Sequence, residues 1–571
     1  MTSSRLAALA CGTAVVLAGL VYLNALNNPF VYDDVRLIVE NRSLEPPWEW
    51  RAILLQNVSR PLVNVSYVVD RAIWGPAPFG FHLTSVLLHM LNVALLFLFT
   101  RGVVLDRMRE ARVAGNDRRA LVAAFAAAAL FAVHPMMTEA VGYISGRSDL
   151  LAGTFMLVAF VVVRRWLNTD RLAWLAAALL AAFLALGSKE TAIVLPLLLL
   201  YYIVFVRRDE PASRRRHLVM LCVPLVAIAI VGAAARLGLF VFVEYAGRVG
   251  WQWRFALAEV DVFTRYLALM IAPSGQAIFH AIPATTSFTD PRAIVALATS
   301  AIALVIIVVA MRRRSVAGFG LTWFVLMLLP SALLVLLNRG EPMAERRVYF
   351  ASAGLFLAAG HAAGAIWSGG ASARPLTRRL LAATGIVVIL ALAGRTVVRN
   401  AIWSSPVLLW AEAADRAPGH WLPTLVLGES LHAAGRHEEA VAAFERALVA
   451  GPTVTAIHER LGLCLLELGR VPVARERFEA LAALDETSAA ASNGLAMASL
   501  LEGDLEAARR GFLASLDLEP RGIEARRGLV LVEERRVGRS DEAFRRCEEI
   551  ELLAPGTPGT RECLERHRQA P

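Results

Sequence analysis

The sequence predicts an all-α protein in two bodies, a polytopic membrane helical bundle over residues 1–404 and a solenoid of helix hairpins over residues 405–571. Three observations predict it. Apolar residues make up 57% of the 571-residue chain and charged ones 19%, against roughly a quarter charged in an ordinary soluble domain. The apolar residues gather in long blocks between Leu6 and Val398, and the mean hydropathy is +0.55. After Pro406 the chain turns charged and alanine-rich and repeats itself.

A spanning helix needs about 20 predominantly apolar residues. The blocks that qualify are 6–24, 81–100, 119–137, 149–166, 172–187, 190–206, 217–235, 292–311, 316–337, 348–367 and 378–397. The stretch 256–273 carries Glu259, Asp261 and Arg265, charges expensive in hydrocarbon, and is expected to be interfacial or re-entrant. The block Leu6–Leu23 follows a lone Arg5 without a small-x-small cleavage site, so an uncleaved first helix is expected.

Arginines mark the cytosolic loops. They are Arg101, Arg107, Arg109, Arg112, Arg118 and Arg119; Arg164, Arg165 and Arg171; Arg207, Arg208 and Arg214 to Arg216; Arg312 to Arg314; and Arg374, Arg378 and Arg379. All fall on one side only if 256–273 does not cross. That gives about eleven spans, an N-terminus in the cytosol, and a long first outer loop, 25–80, on the same side as the C-terminal body. The high Arg and Ala usage points to a bacterial inner membrane, with the outer side the periplasm. The net charge of +10 belongs to these loops, not to a soluble basic domain, so no nucleic acid partner is expected. The five cysteines form no C-x-x-C pair; Cys547 and Cys563 can pair if exported.

In the C-terminal body the repeat has a period of 34. Gly435, Gly469 and Gly503 align, as do Ala440, Ala474 and Ala508, and Phe444, Phe478 and Phe512. Pro452 matches Pro520, Glu486 interrupts that column, and Gly538, Ala543 and Pro555 form a fourth, slipped unit. Small residues where two helices touch, an aromatic in the hole and a proline at the turn are the tetratricopeptide pattern. About four such hairpins bury their apolar faces against one another and offer a surface to a peptide or protein; they supply no chemistry.

The chemistry must come from polar groups at the outer ends of the spans, where ionisable residues are costly. Asp33 and Asp34 follow the first span; two adjacent carboxylates can take a proton, orient a hydroxyl or hold a cation. Arg60 lies later in the same loop, and His82 and His89 share a face of the second span. His134, Glu139, Arg147 and Asp149 crowd a short outer hairpin, where Arg147 can pair with either Glu139 or Asp149. Lys189 is the single lysine of the chain, a compact charge suited to a phosphate, and Glu190 follows it. Glu345, Arg346, Arg347 and Tyr349 enter a span from outside, against the charge rule. Those arginines can clamp a phosphate or pair with Glu345 or Glu341.

The order Tyr32-Asp33-Asp34, Arg60-Pro61-Leu62, Phe79-Gly80-Phe81-His82, His134-Pro135 with Glu139, Gly146-Arg147-Ser148-Asp149, Ser188-Lys189-Glu190 and Glu345-Arg346-Arg347-Val348-Tyr349 resembles the transmembrane-and-tetratricopeptide-repeat O-mannosyltransferases and their bacterial relatives. These are similar to the wider GT-C glycosyltransferases. The resemblance implies an inverting transfer from a polyprenyl-phosphate sugar to a Ser/Thr or other hydroxyl on the outer side. It implies Asp33 or Asp34 as catalytic base and Arg60, Lys189, Arg346 and Arg347 as the donor-phosphate ligands. His82, His134, Glu139, Arg147, Asp149, Glu190, His280, Glu345 and Tyr349 then line the substrate pocket. Relatives carry Asp-His where this chain reads Phe279-His280, so His280 is expected to lack its acidic neighbour. No cofactor is required, although a divalent cation can bridge Asp33, Asp34 and the phosphate. The rival readings are a non-enzymatic membrane scaffold for envelope assembly and a lipid-linked polymer ligase.

Overall fold

The computed structural model describes residues 2–57, 59–110, 116–207, 211–239, 255–283, 287–336, 341–368, 375–538 and 540–568. Among them the regular elements are all helical. Arg112, Arg208 and Arg374 lie outside the described residues. Two compact units emerge, Met1–Leu409 and Trp410–Pro571.

In the first unit, eight helices are long and apolar enough to cross a bilayer: Ser3–Ala25, Pro78–Arg109, Ile144–Thr169, Ala212–Ala234, Pro291–Arg312, Val316–Leu336, Glu345–Ser368 and Leu376–Ile402. The protein is an integral membrane protein. Asp117–Val133 and Pro135–Gly142 pass the same test only as a pair bent by 59°. The break falls at His134-Pro135, where proline removes a backbone donor and disfavours helix in the residue before it. Leu172–Ser188 and Glu190–Val206 are shorter apolar helices. The eleven sequence blocks thus comprise eight full-length helices, one bent pair and two short ones. Ala256–Ile271 is a separate helix of 16 residues, with Arg265 bound to Asp261 one turn away at 2.8 Å.

Small residues let the helices meet. A Cβ on Gly320 would lie 2.2 Å from the Gly354 carbonyl, and one on Gly360 would lie 2.3 Å from that of Ala123. Between helices in lipid, close backbone approach and polar contacts replace the hydrophobic drive. Large apolar side chains such as Ile302, Val305, Val387 and Leu390 point outward, where a bilayer would cover them.

The ends of the bundle differ. At one end Arg164 and Arg207 converge on Asp106, and Arg107 donates to the carbonyls of Val206 and Arg314. The loops around 106, 164, 207 and 314 therefore share one end. The other end gathers Asn28, Asp34, Arg60, Ser145, Lys189 and Glu190.

In the second unit the helices pair as hairpins, among them Trp421–Ala433 with His437–Ala450 and Thr455–Glu467 with Val471–Leu484. Gly435, Gly469, Gly503 and Gly538 have φ between 72° and 89°. That left-handed backbone favours glycine, which accounts for the column. Ala440, Ala474, Ala508 and the phenylalanine column are buried. Each phenylalanine fills a hole opened by a second set of glycines: a Cβ on Gly428 would lie 2.4 Å from Phe444, and one on Gly528 would lie 2.3 Å from Phe512. Cys547 and Cys563 are joined as a disulfide, with Cα atoms 6.1 Å apart.

Candidate active site

The first loop turns sharply at Tyr32, whose φ of 50° is unusual for a side chain of that size. The turn aims Asp34 inward and leaves Asp33 partly exposed. Asp34 is fully buried. One of its oxygens accepts from the Ser145 amide at 2.8 Å and hydroxyl at 2.5 Å, the other from the Val31 amide at 3.2 Å. Burial pushes its pKa up to about 7 against those three hydrogen bonds, with Asp33 a smaller contributor. Asp33 is only half-buried. Its amide donates to the Tyr143 hydroxyl at 3.1 Å.

Tyr143 links acid to cation, since its ring lies 5.9 Å from the Arg346 guanidinium. Arg346 is fixed by Glu139, which accepts from its amide at 3.0 Å and from its guanidinium. Arg60 forms a two-pronged bond to Glu190, at 3.2 and 2.9 Å. Lys189 bonds Asp149 at 2.5 Å with 6% of either side chain exposed. Arg60 and Arg346 keep 31% and 25% of their side chains exposed. Arg60, Lys189 and Arg346 are thus each held by a carboxylate, and of these three the two arginines offer an open edge.

This chain is 35% identical over 195 residues to the protein O-mannosyl-transferase Tmtc1 of Drosophila melanogaster, covering 32% of this chain and 21% of that protein. It is 34% identical over 174 residues to the protein O-mannosyl-transferase TMTC1 of Homo sapiens, covering 28% and 18%. The chain is similar to protein O-mannosyl-transferases. It spans about a fifth of the length of these curated relatives. No protein-family model matches it. Among solved structures, YrrB, a TPR protein, aligns at 18% identity over 34% of this chain and 92% of that one, with a TM-score of 0.23, too low a likeness to bear on fold or function.

The remaining sequence-named residues fall as follows. Arg147 pairs with neither Glu139 nor Asp149. It is fully buried, 2.5 Å from Asp70, donates to the Phe81 carbonyl at 2.6 Å and lies over the Tyr67 ring. Among the described residues no close ion pair joins Arg346 or Arg347 to Glu345 or Glu341, although Glu341 lies near enough to Arg346 to act on it as an opposite charge. Arg347 donates to the backbone carbonyls of Pro342 and Glu341. Glu345 accepts from Gln276, the Ala277 amide and His280, so His280 does have an acidic partner, supplied by another segment. His82 donates to the Asn28 carbonyl and His134 to that of Met270. Tyr349 is buried among the helices against His89 and Asn92.

Sequence reasoning passed over Asp70 and Tyr143. Asp70 was findable as a lone carboxylate on the apolar face of the helix Pro61–Trp74. Nothing local marks Tyr143.

Beside the site, an apolar cavity of about 270 Å³ opens between Ala256–Ile271, Pro291–Arg312 and Val316–Leu336. Phe263, Leu304 and Leu328 line it, and Glu259 and Arg347 bring charge to its wall.

Proposed function

We propose that this protein is a membrane glycosyltransferase that moves a sugar from a polyprenyl-phosphate donor to a hydroxyl of a protein acceptor. The observation that carries this reading is the half-buried Asp33, whose amide donates to Tyr143, together with the partly open Arg346, whose guanidinium lies 5.9 Å from the same Tyr143 ring. A carboxylate and a guanidinium on either side of one tyrosine supply groups for both halves of the reaction. The acceptor oxygen attacks the anomeric carbon, its proton passes to Asp33, and the bond from that carbon to the phosphate oxygen breaks with inversion. The leaving polyprenyl phosphate takes the electron pair, and Arg60 and Arg346 stabilise its charge.

Asp34 positions the loop, being fully buried with its two oxygens accepting from Ser145 and Val31. Lys189 and Asp149 hold the floor of the site. The cavity at Phe263 and Leu304 suits the first isoprene units of the donor. Likeness to the O-mannosyl-transferases favours mannose as the sugar and Ser/Thr as the acceptor. The gathering of arginines at the opposite end supports an outward-facing, periplasmic site. The Cys547–Cys563 disulfide supports export of the array, since disulfides persist in oxidising compartments.

The test uses the purified full chain in lipid nanodiscs, a panel of polyprenyl-phosphate sugars and Ser/Thr peptides. Sugar transfer with matching release of polyprenyl phosphate is expected from one donor. No transfer from any donor, with full biological function retained in an Asp33→Asn strain, would turn the reading to a scaffold.

A further inference from the structure

The repeat array holds a second cluster that sugar transfer does not use. His432 lies in the last turn of Trp421–Ala433, His437 opens His437–Ala450, and Cys464 lies on Thr455–Glu467. Each brings a ligand atom to within 4.8 Å of the others. Glu467 shares a helix face with Cys464, three residues on. Its carboxylate stands 2.6 Å from His432 Nε2 and 3.4 Å from His437 Nδ1. The left-handed Gly435 between the two histidines turns the chain so that their rings meet edge to face at 5.0 Å.

We propose that His432, His437, Cys464 and Glu467 form a binding site for a tetrahedral divalent transition metal of the zinc class. Two imidazoles, a thiolate and a carboxylate are four donors of the types zinc takes, and two negative ligands neutralise a doubly charged ion. Tetrahedral zinc with ordinary bond lengths sets its donors about 3.3–3.8 Å apart. The contraction from 4.8 Å among His432, His437 and Cys464 falls on the histidines, whose side chains are 36% and 37% exposed, and the half-exposed Glu467, already bonded to His432, moves in with them. Cys464 is fully buried, 3.5 Å from the His437 carbonyl, and so is a fixed anchor. A thiol binds the ion as thiolate, so on coordination its proton leaves to solvent and affinity rises with pH. A bound ion ties the hairpin Trp421–Ala450 to the helix Thr455–Glu467.

The experiment takes the tag-free full chain, stripped with chelator, and titrates it with cobalt(II). Expected are a saturable one-to-one thiolate-to-cobalt charge-transfer band, about one proton released per ion, and displacement by zinc(II). Cys464→Ser abolishes the band, and His437→Ala, a partly exposed position, weakens binding at least tenfold with helicity unchanged. Absence of a saturable band, or a band that survives in Cys464→Ser, overturns the proposal. Should Cys464→Ser fail to fold, unweakened binding by His437→Ala overturns it equally.

Discussion

Replacing Arg147 by methionine separates a scaffold arginine from a substrate-binding one. Its guanidinium is fully buried, carries the ion pair to Asp70, donates to the Phe81 carbonyl and reaches Ser66 and Ser85 at 3.3 and 3.4 Å. Methionine fills much of the volume but leaves the Asp70 carboxylate, 3% exposed, with only the Thr84 hydroxyl at 2.6 Å. Stranding one member of a buried pair costs about 3–5 kcal/mol. That corresponds to roughly two to three and a half powers of ten in the local opening constant. Amide hydrogen exchange across Pro61–Trp74, measured on the full chain in nanodiscs, reads the effect directly. Because the cost resides in the unpaired charge, adding Asp70→Asn is expected to restore most of the protection. If Arg147→Met leaves exchange unchanged while raising the KM for the lipid donor, or if the double variant opens as readily as the single one, the scaffold assignment is wrong.

Three further outcomes are expected. Arg60→Ala should raise the donor KM and lower kcat, because it removes an open phosphate ligand and frees Glu190 to repel the phosphate; Arg60→Lys should recover only part, since the two-pronged geometry is lost, and steady-state kinetics with both variants decides it. Asp34 holds its proton up to about pH 7 in the folded loop but to only about 4 when exposed. Its contribution to loop stability is therefore present in acid and lost as pH rises through about 4–7, and Asp34→Asn should flatten the pH dependence of exchange at residues 28–45. Gly428→Ala drives a methyl against the Phe444 ring and should destabilise the first hairpin by about 1–3 kcal/mol; exchange across Trp421–Ala450 should rise, and pairing it with Phe444→Leu should bring relief.

The helices and the 34-residue repeat were readable because they are written in local periodicity. Twenty apolar residues commit to a helix wherever they sit, and Gly435, Gly469 and Gly503 mark turns by backbone conformation alone. The ion pairs obey no such rule. Arg147 had two acids within eight residues and paired with Asp70, 77 positions away. Arg346 passed over adjacent Glu345 for Glu139, and Glu345 went to His280. Which carboxylate reaches which cation depends on the helices that pack together, and the small-residue contacts at Gly320, Gly354 and Gly360 decide that only once the bundle closes. Span length was the other limit: proline at 135 bends one block, and the block ending at Ser188 is 17 residues long. The cations were conspicuous by position, whereas the open edges of Arg60 and Arg346 and the closed one of Lys189 emerge only from burial.

The measurement closest to the central claim compares Asp33→Asn with Asp34→Asn in sugar transfer from the preferred polyprenyl-phosphate donor. Loss of a general base is expected to lower kcat of Asp33→Asn by about 10²–10⁴-fold with donor affinity little changed. Asp34→Asn, altering only a buried positioning group, should lose less and show its defect in loop exchange. Full turnover by Asp33→Asn, or a larger kcat loss in Asp34→Asn with the loop intact, would contradict the account.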